Sequence, residues 1–241
     1  MKKKFNNLTV SVFLIFFGMF FLSSCDKTEM TEELETSIGV AANGVAAKKL
    51  ATGSTSSIVV PFFIEDANFI NPVTGNNTPL YTVLGHNPIL APDGHHVTLG
   101  EFNQVTGTAE VKCLASGTQV KIHLKNLIPK GVYTIWSLTF QSPGFDGTMA
   151  SFANLTGVGS LGPNDGSSNT FVASASGEGQ ITRIVPSGGL SVFGTLGHCI
   201  LTDEFEVHFV GVYHIDGMTY GPMPGPDGTL IEHFGFIFKN Q

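Results

Sequence analysis

The chain predicts an all-β fold, an antiparallel β-sandwich of Ig-like or jelly-roll kind with about nine strands. Three observations carry that expectation. The first is alternation. Gly107, Ala109, Val111 and Cys113 interleave with Thr108, Glu110 and Lys112. After Ser116 and Gly117, the residues Val120, Ile122 and Leu124 interleave with Gln119, Lys121, His123 and Lys125. A period of two means strands with one buried and one wet face. The second is punctuation. Asp-Gly occurs five times, beginning at Asp93, Asp146, Asp165, Asp216 and Asp227, each time between strand candidates, where glycine supplies the positive φ of a tight turn. The third is composition: 29 glycines against 13% charged residues, with no convincing long amphipathic helix and no repeat of solenoid length.

In chain order, residues 58–64 read as the first strand, and Pro61, which has no N–H for a ladder, places it at a sheet edge. Residues 68–77 and 86–94 are loop, and residues 96–102 are predicted as a strand. The two alternating strands follow, then a turn at 127–131. Residues 133–140 are apolar on both faces, with Ile135 on one and Trp136, Leu138 and Phe140 on the other, which predicts a central strand. Residues 142–168 are a Gly-, Ser- and Asn-rich loop with a short strand near 149–152. Residues 171–175 and 180–185 are predicted to pair as a hairpin, while 189–200 is ambiguous and could hold a helical turn. Residues 205–215 and 230–239 are the last two strands, consecutive and so expected to pair.

The N-terminus is a different kind of sequence. Lys2, Lys3 and Lys4 precede an apolar run from Leu8 to Leu22, and Leu22-Ser23-Ser24-Cys25 has the form of a lipobox. The run is too short to span a bilayer as a helix, and it reads as a secretory leader. The predicted organisation is a signal peptide at 1–24, an acylated Cys25 with a flexible tether at 25–57, and a sandwich domain at 58–241. Asp26, Glu29, Glu32 and Glu33 follow the cysteine. That acidic cluster resembles the surface-export signals of Bacteroidetes lipoproteins; alternatively it is a solvated spacer. The expected location is the cell envelope, with the membrane as a partner through the lipid.

The formal net charge is −7, and removal of the three leader lysines leaves the mature chain near −10. Such a chain has no electrostatic reason to bind nucleic acid or an anionic lipid surface. Besides Cys25 there are two cysteines, Cys113 and Cys199. In an oxidising compartment they form a disulfide, or they remain as two buried thiols.

Candidate chemistry is sparse. On the strand 205–215, Phe205, Val207, Phe209 and Tyr213 share one face, and Glu206, His208, Val210, Val212 and His214 share the other. Residues two apart on a strand face the same way, about 6.6–6.8 Å apart. Glu206 and His208 could therefore meet one Zn or Cu ion, with a third ligand from His233, His95, His96 or His198, His233 being the first choice; otherwise they lie on a solvated sheet face. On 230–239, Phe234, Phe236 and Phe238 share one face while Ile231, His233, Gly235 and Ile237 share the other, which would bring a buried His233 to Glu206. His95 and His96 are adjacent, so they point to opposite faces. Trp136, the only tryptophan, is a core residue or a platform for a sugar. The string from Gly157 to Gly162 matches G-x-G-x-x-G, but Pro163 and Asp165-Gly166 cannot open the helix a dinucleotide needs. Residues 154–169 and 216–227 offer oxygen-rich loops without a defined calcium spacing.

Two segments carry a resemblance. The run from Leu127 to Trp136, Leu-Ile-Pro-Lys-Gly-Val-Tyr-Thr-Ile-Trp, resembles the L-x-P-x-G-x-Y-T-x-W signature of a family of secreted bacterial and archaeal proteins without assigned activity. Glu206, His208, Val210 and His214 are similar to that family's E-x-H-x-V-x-x-x-H segment. The strand-turn-strand around Pro129 is also similar to Cu/Zn superoxide dismutase and chordin-type repeats, but Tyr133 and Trp136 stand where paired copper ligands would be needed. The resemblance implies a sandwich and supplies no activity. Three classes of function therefore stand: a lipid-anchored protein that binds a ligand or partner or is structural, a metal or redox protein using Glu206, His208 and His233, and a hydrolase with a dispersed site.

Overall fold

The computed structural model describes residues 52–56, 58–59, 63–142 and 154–240. The leader, Cys25, Pro61 and the strand expected near 149–152 lie outside them. In chain order, β1 (Thr52–Ser56), β2 (Ile58–Val59), β3 (Ile64–Glu65) and β4 (Tyr81–Thr82) precede a one-turn helix, α1 (Leu99–Phe102). Then come β5 (Thr106–Leu114), β6 (Gly117–Lys125), β7 (Val132–Phe140), β8 (Leu155–Ser160) and β9 (Thr170–Val172). The chain closes with β10 (Gly179–Val185), β11 (Gly188–Gly189), β12 (Thr195–Leu196), β13 (Glu206–His214) and β14 (Leu230–Lys239).

The fold is all-β and antiparallel. One sheet has the order β1-β5-β6-β10; the other runs β2-β14-β13-β7-β8, with β9 also paired to β7. The alternating pattern of β5 and β6 sets their register: Val111 faces Val120, Ala109 faces Ile122 and Gly107 faces Leu124. Ala109, Val111, Val120, Ile122 and Leu124 are buried in one cluster with Tyr133, Ile135, Val207, Phe209, Tyr213, Phe234, Phe236 and Phe238 of the second sheet. That shared core makes the two sheets a sandwich. The second sheet also buries its other face, where Trp136, Leu138, Phe140, Val158, Val210, Val212 and Leu230 form a separate cluster.

Several expectations need correction. Residues 96–102 are not a strand. Thr98 accepts from the Glu101 backbone N–H, and the Glu101 carboxylate accepts from the Thr98 N–H at 2.8 Å, a capping box that turns the chain into α1. The tether is shorter than 25–57, because β1 pairs with β5 from Thr52↔Lys112 to Ser56↔Thr108. A Gly/Ser/Thr segment gives no apolar alternation, yet its backbone serves an edge strand. Segments 171–175 and 180–185 are not a hairpin. β9 joins β7 in one sheet and β10 joins β6 in the other, so the turn between them crosses the sandwich. Residues 189–200 hold the small β11–β12 ladder rather than a helical turn.

The molecule has two ends. Thr52 pairs beside Cys113, which is bonded to Cys199, with Cα atoms 5.3 Å apart. The same end holds the start of β13 and the close of β14, where the Asn240 N–H donates to the Phe205 carbonyl at 2.9 Å. The opposite end holds the β13–β14 connection and the turn after β6, whose Ile128 N–H donates to the Tyr133 hydroxyl at 3.1 Å.

Candidate functional site

β13 and β14 pair in register from Glu206↔Lys239 to Gly211↔Phe234; the next pair is Val212↔Glu232. His233 is the extra residue of a β-bulge. A bulge puts two consecutive side chains on roughly the same side. His233 and Phe234 therefore both face the main core, and the phase of β14 reverses between them. Ile231 joins the same core as Phe234, Phe236 and Phe238. The predicted split of this strand into Ile231/His233 and Phe234/Phe236/Phe238 faces is overturned.

This overturns the predicted meeting of His233 with Glu206. The His233 Nε2–H donates to the Phe102 carbonyl at 2.9 Å, so Nδ1 accepts from the Tyr133 hydroxyl at 3.1 Å. Tyr133 oxygen in turn accepts the Ile128 N–H. Every polar atom of this chain of bonds is engaged, and it ties α1 to β14 and β7. Burial holds the His233 pKa down at about 4, which keeps the ring neutral. Glu206 pairs six residues farther along β14 and points to the other side of the sheet. The Glu206, His208 and His233 metal set does not form, and among the described residues no group of three or more His, Cys, Asp or Glu side chains is placed to hold a metal ion.

Glu206 and His208 do share a face and do meet. Glu206 Oε1 lies 2.5 Å from His208 Nε2, and its Oε2 lies 3.3 Å from Lys239 Nζ across the ladder. The surface expectation fails, because Glu206 is fully buried and His208 nearly so. His208 packs on the Phe140 ring, 4.6 Å between centroids. A buried carboxylate in contact with a lysine and an imidazole thus lies at the edge of the second apolar face.

Farther along the same face lies a group that sequence reasoning missed. The Trp136 Nε1–H donates to Thr134 Oγ1 at 3.0 Å, and the Thr134 hydroxyl is 2.8 Å from His214 Nε2. The other ring nitrogen of His214, Nδ1, is buried without a hydrogen-bond partner. Burial holds the His214 pKa down at about 4. Glu232, on the neighbouring strand, has its Oε2 buried and unpartnered as well, and desolvation pushes its pKa up to about 8. The signal for Glu232 was its position in an otherwise apolar strand.

The remaining candidates resolve into structural roles. His95 lies between Asp93 Oδ1 at 2.6 Å and Glu101 Oε1 at 3.0 Å on the surface, and His96 Nε2 donates to the Leu80 carbonyl at 2.7 Å. Trp136 is buried. Residues 157–160 are the end of β8, with no helix after them. Asp165 accepts the Ser167 N–H and Asp216 accepts the Met218 N–H, so these carboxylates shape their own turns.

The chain matches no family model, and no significant match to a curated protein or to a solved structure was found. The motif resemblance of 127–136 and 206–214 therefore rests on those residues alone.

Proposed function

We propose that this chain is an exported lipoprotein, held at a membrane of the cell envelope by acyl chains on Cys25, whose sandwich domain serves binding or structure rather than catalysis. The observation that carries the reading is the basic, apolar leader ending in Leu22-Ser23-Ser24-Cys25. Two others support it. A Cys113–Cys199 disulfide suits a protein that matures in an oxidising compartment. His208, His214 and His233, the histidines of the central strands, are hydrogen-bonded to neighbouring groups within the fold. Their arrangement favours a scaffold over a reactive centre.

The test is a Cys25→Ala variant expressed in the native host with an alkyne fatty-acid probe. The wild-type chain should label and sediment with membranes, and the variant should do neither. Equal labelling of the two would reject the anchor.

A further inference from the structure

We propose that the end of the sandwich formed by the β13–β14 connection and the loops around it is a docking surface for a basic, amphipathic segment of a partner protein. The proposal deepens the binding reading above and rests on it.

The surface is built from several segments locked together. The Asn87 side chain donates to the Gly228 carbonyl at 3.1 Å, which joins the loop after β4 to the β13–β14 connection. A Cβ on Gly228 would collide with the Leu84 carbonyl, so the two loops are in direct contact. The Phe69 ring lies 3.9 Å, centroid to centroid, from the His86 ring beside that junction. The Tyr213 hydroxyl donates to the Leu90 carbonyl at 2.7 Å, and Asn169 Nδ2 reaches the Gly221 carbonyl at 3.5 Å. β9 brings Val172 opposite Val132, at the same end of the sheet.

Most of the large apolar side chains that the described residues leave in solvent are here. Phe69 is 60% exposed, Ile70 55%, Met218 58% and Val172 60%, with Leu90 and Met223 also exposed. Methionine and phenylalanine on rigid loops are suited to a partner that must be packed against rather than read by hydrogen bonds. The loops hold their shape by internal bonds: Asp66 Oδ1 accepts from the Asn68 and Ile70 N–H groups, and Asp216 holds Met218 N–H and the Tyr220 hydroxyl.

Charge selects the occupant. Residues 63–105 carry four acids and no lysine or arginine; residues 161–178 and 215–229 carry two acids each and again no lysine or arginine. Lys130 is the one such cation in the adjoining turn 126–131. A second copy presenting the same end would set acid against acid, and an anionic bilayer or a nucleic acid would be repelled. A cationic segment with an apolar face satisfies both features of the surface. β1 begins at the opposite end, beside Lys112, so the chain before Thr52 does not enter the domain at this surface.

The test uses the whole mature chain from residue 25 with Cys25→Ala, so that its outcome does not depend on acylation. The probe is a fluorescent Lys/Leu amphipathic peptide of about 18 residues, compared with a Glu/Leu peptide of the same spacing. Anisotropy should show binding of the Lys/Leu peptide only. Phe69→Ser with Met218→Ser, and separately Glu178→Lys with Asp227→Lys, should each weaken it about tenfold or more. Ile184→Ser with Phe205→Ser, exposed apolar positions away from this surface, should leave it unchanged. The pairs are surface substitutions, and an unchanged thermal transition certifies each fold. The proposal is overturned by no binding of the Lys/Leu peptide at about 100 μM, by equal binding of the Glu/Leu peptide, or by an affinity indifferent to the Phe69/Met218 pair.

Discussion

Glu232 carries a carboxyl group in a place that suits only its protonated form. Its pKa is raised from 4.5 to about 8 by burial, whereas the unfolded chain ionises it near the ordinary value. Folding between pH 4.5 and about 8 is therefore accompanied by uptake of a proton. Stability from this group is full below about pH 4.5 and is lost as pH rises toward about 8. His214 and His233 act from the other side. Their pKa values fall from 6.5 to about 4, so their stability is full above pH 6.5 and is lost as pH falls toward 4. The limbs overlap between pH 4.5 and 6.5, where two histidines gain stability with rising pH and one carboxyl loses it, so the three together contribute most near pH 6.5. Glu232→Gln removes only the alkaline limb. At pH 8.5 it should be more stable than wild type by a few kcal/mol, since each tenfold difference in proton affinity between the folded and unfolded chain is worth about 1.4 kcal/mol. At pH 5 the two proteins should differ little. Urea titrations at the two pH values measure this, and parallel pH curves for the two proteins would exclude a buried neutral Glu232.

At the scale of the element, the bulge of β14 depends on its partner strand. Gly211 faces Phe234 directly, and a Cβ at Gly211 would fall inside the Phe234 ring. The missing side chain is what lets the ring lie flat across β13 while His233 turns inward beside it. Gly211→Ala should therefore destabilise by about 2–4 kcal/mol, the usual cost of overpacking a core that cannot shift. Adding Phe234→Leu to Gly211→Ala should cost less than the two substitutions separately, since both act on one contact. A double-mutant cycle by chemical denaturation reads the coupling. Additive effects would mean that position 211 needs glycine for some reason other than the ring.

At the scale of the whole molecule, the disulfide joins sequence-distant parts of the chain. Cys113 lies near the end of β5 in the smaller sheet, and Cys199 precedes β13 of the larger one, 86 residues on. Closing a loop of that length in the unfolded chain is worth about 4–5 kcal/mol in the chain-entropy model. The double variant Cys113→Ser/Cys199→Ser should lose several kcal/mol of stability and the dependence of its urea midpoint on reductant. A wild-type midpoint unmoved by dithiothreitol would argue against a bridge that constrains the fold.

The all-β class and the long strands β5, β6, β7, β13 and β14 were legible because they rest on local rules. The period of two in β5 and β6 dictates their register, and β13 and β14 pair because they are consecutive. The two faces of β7 were legible for the same reason, since Ile135 and Trp136 sit in opposite phases. The proposed leader and its Cys25 rest on local sequence alone. What only tertiary structure decided is which face is covered and which residues meet across strands. A face carrying Glu206, His208 and His214 looks wet in sequence, because charge is normally left in water; here Lys239 pairs with Glu206, and burial follows. His233 was misplaced because a strand apolar on both faces hides a change of phase. The apolar set shifts from Ile231 and His233 to Phe234, Phe236 and Phe238, and that shift was the readable trace of the bulge. Whether a bulge forms there depends on Gly211 in another strand, and a one-residue slip sends every side chain beyond it to the opposite face.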